Sequence, residues 1–177
     1  MNDQIHGARD VTKTNTSTPD SFKTPELGML GYFQGNKPYF YHASTRKHTV
    51  DTEFDISKLD ALPQVDIVYG YANVSPVALN ALVAAGAKGI IHAGVGDGSL
   101  ASKVLPSLTA ARKQGVLIVR SARVGQGIVA RNGEANDDEL DFVVSDTLNA
   151  QKARILLMLA LTKTTDVKKI QDYFWAY

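Results

Sequence analysis

Short apolar segments that alternate with helix-forming segments are the feature that most restricts how this chain can fold. Val65–Tyr69, Gly89–Ala93 and Val116–Arg120 are apolar runs of strand length that contain several β-branched residues. The segments between them, Ser75–Gly86 and Ser99–Gln114, are predicted helices. Strands and helices in this alternation are typical of βαβ units, in which helices cover a parallel sheet. The sequence therefore predicts an α/β domain.

The same pattern continues through the later part of the sequence, with one complication. Asp141–Ser145 is a weaker fourth strand, and Asn149–Thr162 and Thr165–Trp175 are predicted helices. Pro106 predicts a break or kink in the second helix, because proline cannot donate the helical hydrogen bond. Residues 64–177 thus contain the elements of a complete small α/β domain.

Residues 1–63 have a different character. Residues 1–30 are polar and rich in turn formers, and the aromatic segment 31–43 contains Gln34–Lys37, which is a good signal for a hairpin turn. Residues 44–63 are charged and turn-rich, which is typical of a linker. We therefore interpret this region as the end of a separate domain.

Composition argues against several classes of function. Lys and Arg (19) nearly balance Asp and Glu (18), so neither a nucleic-acid partner nor an anionic membrane has electrostatic support. The chain has no cysteine, which excludes disulfides, thiolate metal sites and cysteine nucleophiles. The longest apolar run, Ile155–Leu161, is far too short to span a bilayer. The first residues, MNDQIHGARD, lack the hydrophobic region of a signal peptide.

The remaining motifs for catalysis or metal binding are also missing. The four histidines, His6, His42, His48 and His92, form no pair at the spacing of metal ligands, so we expect no metal. No G-x-S-x-G motif occurs that would mark a serine nucleophile. The residues taken alone therefore identify no activated nucleophile.

The loop Gly94–Ser99 is the best candidate for a ligand site. Its three glycines allow the backbone to approach a ligand, and the helix predicted to start at Ser99 favours an anionic group. The carboxyl ends of parallel strands are also where α/β sheets bind ligands. A nucleotide-phosphate site is one alternative, although Ser99 stands where the G-x-G-x-x-G pattern needs glycine. A purely structural tight turn is another.

Two further polar residues, Glu134 and Lys13, have open roles. Glu134 lies in Arg123–Asp138, a long segment after the third strand, and loops of this length often form lids or partner contacts. It faces either a ligand or water. Lys13, in the stretch RDVTKTNTST, is either an exposed lysine of a polar tail or a group placed for chemistry.

Several stretches together are similar to one family. In order they are RDVTKTNT, LGYF, RKHT, FDISKL, LPQVDIVYGYAN, GIIHAGVGDGS, VRSARVGQG and LNAQKARILLMLALT. Their order and spacing resemble the C-terminal half of bacterial type II L-asparaginases, including the glutaminase-asparaginases, over the whole chain. The resemblance implies that residues 1–41 are the tail end of a larger α/β N-terminal domain, including a hairpin. Residues 42–63 would be a linker, and residues 64–177 a flavodoxin-like C-terminal domain with a short parallel sheet between helices.

The resemblance also implies an activity, namely hydrolysis of L-asparagine, and often of L-glutamine, to the acid and ammonia without a cofactor. The family's catalytic threonines lie in T-G-G-T-I and H-G-T-D-T motifs, and neither motif occurs in this chain. Lys13 matches the lysine of a catalytic threonine–lysine–aspartate group. Ser99 and Glu134 match substrate-binding positions, the glutamate contacting the substrate's α-amino group. Asp97 and Ser99 stand where some members have asparagine, which leaves the preferred amide open.

Expectations about assembly follow from the same resemblance. The family forms homotetramers whose sites are shared between subunits, so we expect a second subunit near Ser99 and Glu134. Its type II members are exported to the periplasm. We expect the chain to be a C-terminal fragment that is inactive alone, with the N-terminal half as one partner to be considered. The alternative is a non-catalytic α/β module that binds a small amino acid or serves assembly.

Overall fold

The computed structural model describes residues 1–177, which divide into two compact units. The first unit is Met1–His48 and the second is Thr49–Tyr177. The first contains only short β-strands, whereas the second contains a parallel sheet with helices.

The first unit consists of two small antiparallel sheets. One sheet has three strands in the order β1-β4-β5, and the other pairs β2 with β3. The bounds of these strands are Gln4–Ile5 (β1), Thr12–Lys13 (β2), Phe22–Lys23 (β3), Gly31–Gln34 (β4) and Lys37–Phe40 (β5).

The hairpin that the aromatic segment predicts is present as β4 and β5. Tyr32 pairs with Tyr39 in its antiparallel register. The two turn residues, Gly35 (φ 57°) and Asn36 (φ 59°), both have left-handed backbone conformations. Two such residues form the turn whose twist matches that of the flanking strands. Glycine and asparagine are the residues that adopt this conformation most readily, which is why the sequence signal is strong.

The second unit is built on four parallel strands whose order in the sheet, β6-β7-β8-β9, is also their order in the chain. Five helices accompany the sheet, and a short 3-10 helix, Thr49–Asp51, precedes it. The strands are Val65–Tyr69 (β6), Gly89–Gly94 (β7), Leu117–Ala122 (β8) and Val143–Val144 (β9). The helices are Val77–Ala84 (α1), Leu105–Lys113 (α2), Asp137–Leu140 (α3), Ala150–Ala160 (α4) and Val167–Ala176 (α5).

Helices cover both faces of this sheet. Side chains that alternate along β7 enter two separate apolar clusters, with Ile91 in one and Ile90 in the other. The cluster around Ile91 is closed by α4 and α5, and the cluster around Ile90 by α1 and α2. Strands buried on both faces need continuous apolar runs, which are the runs seen in the sequence. The predicted class, an α/β domain with a short parallel sheet between helices, is confirmed.

The starts of the last two helices follow from their capping residues. The side chain of Asn149 accepts a hydrogen bond from the backbone N–H of Lys152 at 3.0 Å. Asp166 does the same for Lys169 at 3.1 Å. Such caps satisfy backbone donors that have no partner within the helix.

Two expectations about local structure were wrong. The helix predicted from Ser99 begins only at Leu105, and Pro106 lies in its first turn instead of kinking its interior. Proline is well tolerated in a first turn, because the N–H that it lacks would have no helical acceptor there. The fourth strand is also shorter than predicted, because Asp141 has a left-handed conformation (φ 57°) that ends α3 just before β9.

None of the helices combines the length and the apolar character that a bilayer-spanning segment requires.

His92 is an unusual residue of the core. It is fully buried in the middle of β7, and neither of its ring nitrogens has a hydrogen-bond partner. Its neighbours in the sheet are Val68 on β6 and Arg120 on β8. Burial lowers the pKa of His92 to about 4, and the charge of Arg120 acts in the same direction. The imidazole is therefore neutral in the folded chain at neutral pH.

We expect His92 to make the second unit sensitive to acid. Its pKa is about 4 in the folded chain but near 6.5 when exposed. Between these values the unfolded chain binds more protons, so the free energy of unfolding falls as the pH falls through this window. The full effect is about 3 kcal/mol. Urea unfolding at pH 7 and pH 4, followed by the fluorescence of the single tryptophan, should show a smaller loss for His92→Gln than for the wild type.

The matched control is His42→Gln, which changes an exposed histidine. This variant should lose as much stability on acidification as the wild type. Equal losses in the wild type and in His92→Gln would contradict the role assigned to His92.

Candidate functional site

The loop after β7 turns back sharply on its own strand. The backbone N–H of Ser99 donates to the carbonyl of Val95 at 2.9 Å, and the same two residues form an isolated antiparallel bridge. A Cβ atom on Gly94 would lie 2.5 Å from the backbone of Gly98, so only glycine fits there. Gly98 itself has φ +71°. These glycines therefore allow the tight turn that brings Ser99 back to the carboxyl edge of the sheet.

The long segment after β8 folds against this loop. The backbone N–H of Arg123 donates to the carbonyl of Gly94 at 2.9 Å. Further along the segment, Ser99 Oγ donates a hydrogen bond to Glu134 Oε2 at 2.9 Å. The two side chains are 35 residues apart in the sequence. We call the loop Gly94–Ser99 and the segment Arg123–Asp138 together the carboxyl-edge site.

A buried ion pair underlies the carboxyl-edge site. Arg120 and Asp137 are both fully buried, and they form two hydrogen bonds. Arg120 Nε lies 2.6 Å from Asp137 Oδ1, and Arg120 Nη2 lies 2.7 Å from Asp137 Oδ2. This is the paired geometry in which a guanidinium binds a carboxylate most strongly.

The same guanidinium also holds both parts of the site. Arg120 Nη1 donates to the carbonyls of Asp97 at 2.9 Å and Gly98 at 3.2 Å, in the loop after β7. Arg120 Nη2 donates to the carbonyl of Ala130 at 2.9 Å, in the segment after β8. Asp137 Oδ2 accepts from the backbone N–H of Asn132 at 2.8 Å. One buried cation and one buried anion therefore fix the backbone on both sides of Ser99 and Glu134.

Arg120 and Asp137 were not identified as site residues from the sequence. Arg120 marked the end of an apolar strand, and Asp137 was one acid in a polar segment. The available signal was that a permanently charged residue ended a strand predicted to be buried, since a buried arginine needs a buried partner.

The three site residues predicted from the sequence fall into the two units. Ser99 is half-buried and Glu134 is exposed, and the structure brings them into direct contact. Lys13 belongs to the first unit, where it is exposed and pairs with Phe22 across β2 and β3. Its Nζ lies 5.9 Å from the centre of the Phe22 ring. This contact is typical of a cation–π interaction.

The carboxyl-edge site differs from the predicted anion site. No helix starts at Ser99, because α2 begins at Leu105. The expectation that a helix N-terminus favours an anion at this loop was therefore wrong. The described residues also contain no group of three or more histidines, cysteines, aspartates and glutamates that could hold a metal ion. At this edge Glu134, which accepts a hydrogen bond from Ser99, can offer its carboxylate to a positively charged ligand.

The fold and this site define an α/β domain with a polar pair at the carboxyl edge of its sheet, and comparison with known proteins identifies its family. Residues 64–174 match the family described as "Glutaminase/Asparaginase C-terminal domain". Residues 1–46 match "Asparaginase, N-terminal". The chain belongs to the glutaminase/asparaginase family.

Several bacterial relatives are similar over the whole chain. It is 52% identical to the "Glutaminase-asparaginase" of Pseudomonas fluorescens biotype A over an alignment of 178 residues, which covers 100% of this chain and 49% of the relative. It is 52% identical to "L-asparaginase 2" of Bacillus subtilis (strain 168) over 177 residues, 100% of this chain and 46% of the relative. It is 48% identical to the "Probable L-asparaginase periplasmic" of Haemophilus influenzae over 174 residues, which cover 98% of this chain and 50% of the relative. The chain thus spans about half the length of the curated relatives it matches.

We expect Asp137→Asn to destabilise the second unit strongly. The substitution keeps the shape of the side chain but leaves the buried Arg120 charge without its counter-ion. Breaking a buried pair in this way costs about 3–5 kcal/mol. Urea unfolding at pH 7 measures the loss directly.

The control for this prediction is the neighbouring residue. Asp138 also binds an arginine, Arg131, at 2.6 Å, but its own side chain is 62% exposed. Asp138→Asn should therefore cost about 1 kcal/mol or less. Similar losses for the two variants would show that burial of the Arg120–Asp137 pair has no special energetic weight.

Proposed function

We propose that this chain forms part of an amidohydrolase that converts L-asparagine, and also L-glutamine, to the corresponding acid and ammonia. The names of the relatives support this choice, since they are L-asparaginases and glutaminase-asparaginases. The single observation that carries the proposal is the contact between Ser99 and Glu134 at 2.9 Å. It joins two residues, distant in the sequence, that match substrate-binding positions of this family.

Glu134 would bind the α-amino group of the substrate. A carboxylate paired with an ammonium forms a strong, charge-assisted hydrogen bond. Ser99 orients this carboxylate by donating to one of its oxygens. A carboxylate has about four acceptor positions. The serine therefore leaves acceptor capacity for the substrate, and the pair supplies recognition without taking part in bond breaking.

Lys13 would take part in the chemical step. In the proposed reaction a threonine hydroxyl attacks the amide carbon, the C–N bond breaks and ammonia leaves. Water then hydrolyses the acyl-threonine ester and releases the acid. Lys13 belongs to the group that removes the proton from the threonine. Because the T-G-G-T-I and H-G-T-D-T motifs are absent from these 177 residues, we propose that the threonine is supplied by additional polypeptide.

The site would be completed in a homo-oligomer, which we propose to be a tetramer. Large apolar side chains are exposed around the carboxyl-edge site, among them Val95, Val124 and Ile128, which are 46%, 51% and 63% exposed. Exposed apolar groups of this size at one edge fit a protein interface. We propose a periplasmic location, supported by the name of the Haemophilus influenzae relative.

The proposal predicts that the purified chain releases no ammonia above background from L-asparagine or L-glutamine, since it lacks the nucleophile. Adding the amino-terminal half of the Pseudomonas fluorescens relative as a separate polypeptide should produce turnover. Ammonia release coupled to NADH oxidation measures both reactions. Turnover by the chain alone would contradict the proposed source of the nucleophile. Calorimetric binding of L-aspartate to the chain alone, with no turnover on complementation, would instead indicate a non-catalytic amino-acid-binding module.

Lys13→Met should abolish the chemical step in the complemented enzyme. The variant keeps the aliphatic side chain but removes the group that accepts and donates the proton, so kcat should fall about 100-fold or more. Lys23→Met is the matched control, because Lys23 lies on the paired strand and is also exposed. Steady-state kinetics should show Lys23→Met close to the wild type. An unchanged kcat in Lys13→Met would exclude Lys13 from catalysis.

Glu134→Gln should weaken substrate binding more than catalysis. Loss of the negative charge removes a charge-assisted bond to the α-amino group, so KM should rise about tenfold or more while kcat changes less. Glu139→Gln changes another exposed glutamate of the second unit and should leave KM unaltered. Equal KM values for Glu134→Gln and the wild type would contradict the binding role of Glu134.

A further inference from the structure

Asp97, in the first part of the carboxyl-edge site, contacts both the second part and the buried Arg120 beneath it. Its carboxylate oxygen Oδ1 accepts a hydrogen bond from the backbone N–H of Ala130 at 2.7 Å. Its own backbone carbonyl accepts from Arg120 Nη1 at 2.9 Å. In the sequence Asp97 comes shortly before Ser99, and Ala130 shortly before Glu134. The Asp97 side chain therefore links the two backbone segments that carry the polar pair.

Gly133 packs against the same carboxylate. A Cβ atom placed on Gly133 would lie 2.7 Å from Asp97 Oδ2, which is closer than real Cβ contacts. The N–H of Gly133 also donates to the carbonyl of Ala130 at 3.3 Å, which closes a turn. Asp97 thus contacts the first and the last residue of this turn. Glu134 is the next residue in the chain, so the Asp97 carboxylate contacts the turn that directly precedes Glu134.

The contact between Ser99 and Glu134 needs such support. It is an exposed hydrogen bond, and water competes for both of its groups. Arg120 holds the backbone of both segments from the buried side. The Asp97 side chain adds a hydrogen bond to the turn that precedes Glu134. Its carboxylate also accepts from a backbone donor that would otherwise have to be satisfied by water.

We propose that Asp97 is a positioning residue, which holds the turn Ala130–Gly133 so that Glu134 lies beside Ser99. Its carboxylate accepts the hydrogen bond of the Ala130 N–H, and it occupies the space that a side chain at position 133 would need. The inference rests on the proposed function only where Glu134 is assigned to the substrate's α-amino group. The positioning itself is a property of this chain and can be measured without substrate.

The first test is amide hydrogen exchange of the full chain, resolved by NMR. In Asp97→Ala the exchange of the Ala130 amide should accelerate about tenfold or more, because its acceptor is gone. Amides of the core strands, such as Ile91 and Ile118, should keep their rates. Asp97→Asn retains an oxygen acceptor, so it should restore the slow exchange at Ala130. An unchanged rate at Ala130 in Asp97→Ala would overturn the proposal.

A second variant, Gly133→Ala, tests the contact between Asp97 and Gly133 by changing Gly133. It also tests the proposal if Asp97→Ala fails to fold. Gly133→Ala places a Cβ against Asp97 Oδ2 and should displace the carboxylate, so exchange at Ala130 should again accelerate. In Asp97→Ala the space is free, and adding Gly133→Ala should have little further effect. This non-additivity is the signature of a direct contact. Fully additive effects of the two substitutions would overturn the proposal.

A kinetic measurement on the complemented enzyme separates this inference from the proposed function. Asp97→Ala should raise KM for L-asparagine about tenfold with little change in kcat, and Asp97→Asn should not. If exchange accelerates while KM stays constant, Asp97 positions the turn as proposed, and the assignment of Glu134 to substrate is what fails. If KM rises without any change in exchange at Ala130, the positioning role is refuted.

Discussion

The buried pair of Arg120 and Asp137 is the interaction on which the rest of the second unit depends. Taking two charges out of water is costly, and the cost is offset only if nearly every hydrogen-bonding group finds a partner. Here the partners are largely backbone groups of the two segments that leave β7 and β8. The hydrogen bonds that stabilise the two buried charges therefore also fix the backbone at the edge of the sheet. The pair holds a defined loop geometry, whatever its net effect on stability.

The carboxyl edge of the sheet has two layers, a buried inner layer and an outer layer at the surface. The inner layer is the buried ion pair, and in it Arg120 donates hydrogen bonds to backbone carbonyls, such as that of Gly98. The outer layer is accessible to solvent and contains the hydrogen-bonded pair Ser99 and Glu134, which we propose binds the substrate. Asp97 lies between them, half-buried, with its backbone bound to the inner layer and its carboxylate bound to the turn before Glu134. Rigid support behind an exposed polar pair is what keeps a recognition site preorganised.

Much of the fold could be read from the sequence, because apolar strand runs such as Gly89–Ala93 report burial on both faces without knowledge of their neighbours. The start of α2 could not, since Pro106 is compatible with either a kink or a first turn. The ion pair was also missed, because the partner of Arg120 lies 17 residues away and is selected by tertiary structure. The polar pair was named through family resemblance. Only the structure shows that the two side chains are in contact.

The order of the strands has a consequence for how the second unit is made. Because neighbours in the sheet are neighbours in the chain, each strand can add to the growing edge soon after it leaves the ribosome. One face is covered as α1 and α2 follow their strands, whereas the other face waits for α4 and α5, which come last. During synthesis the side chains of Ile91 and Leu117 on that second face therefore stay exposed until the final helices arrive.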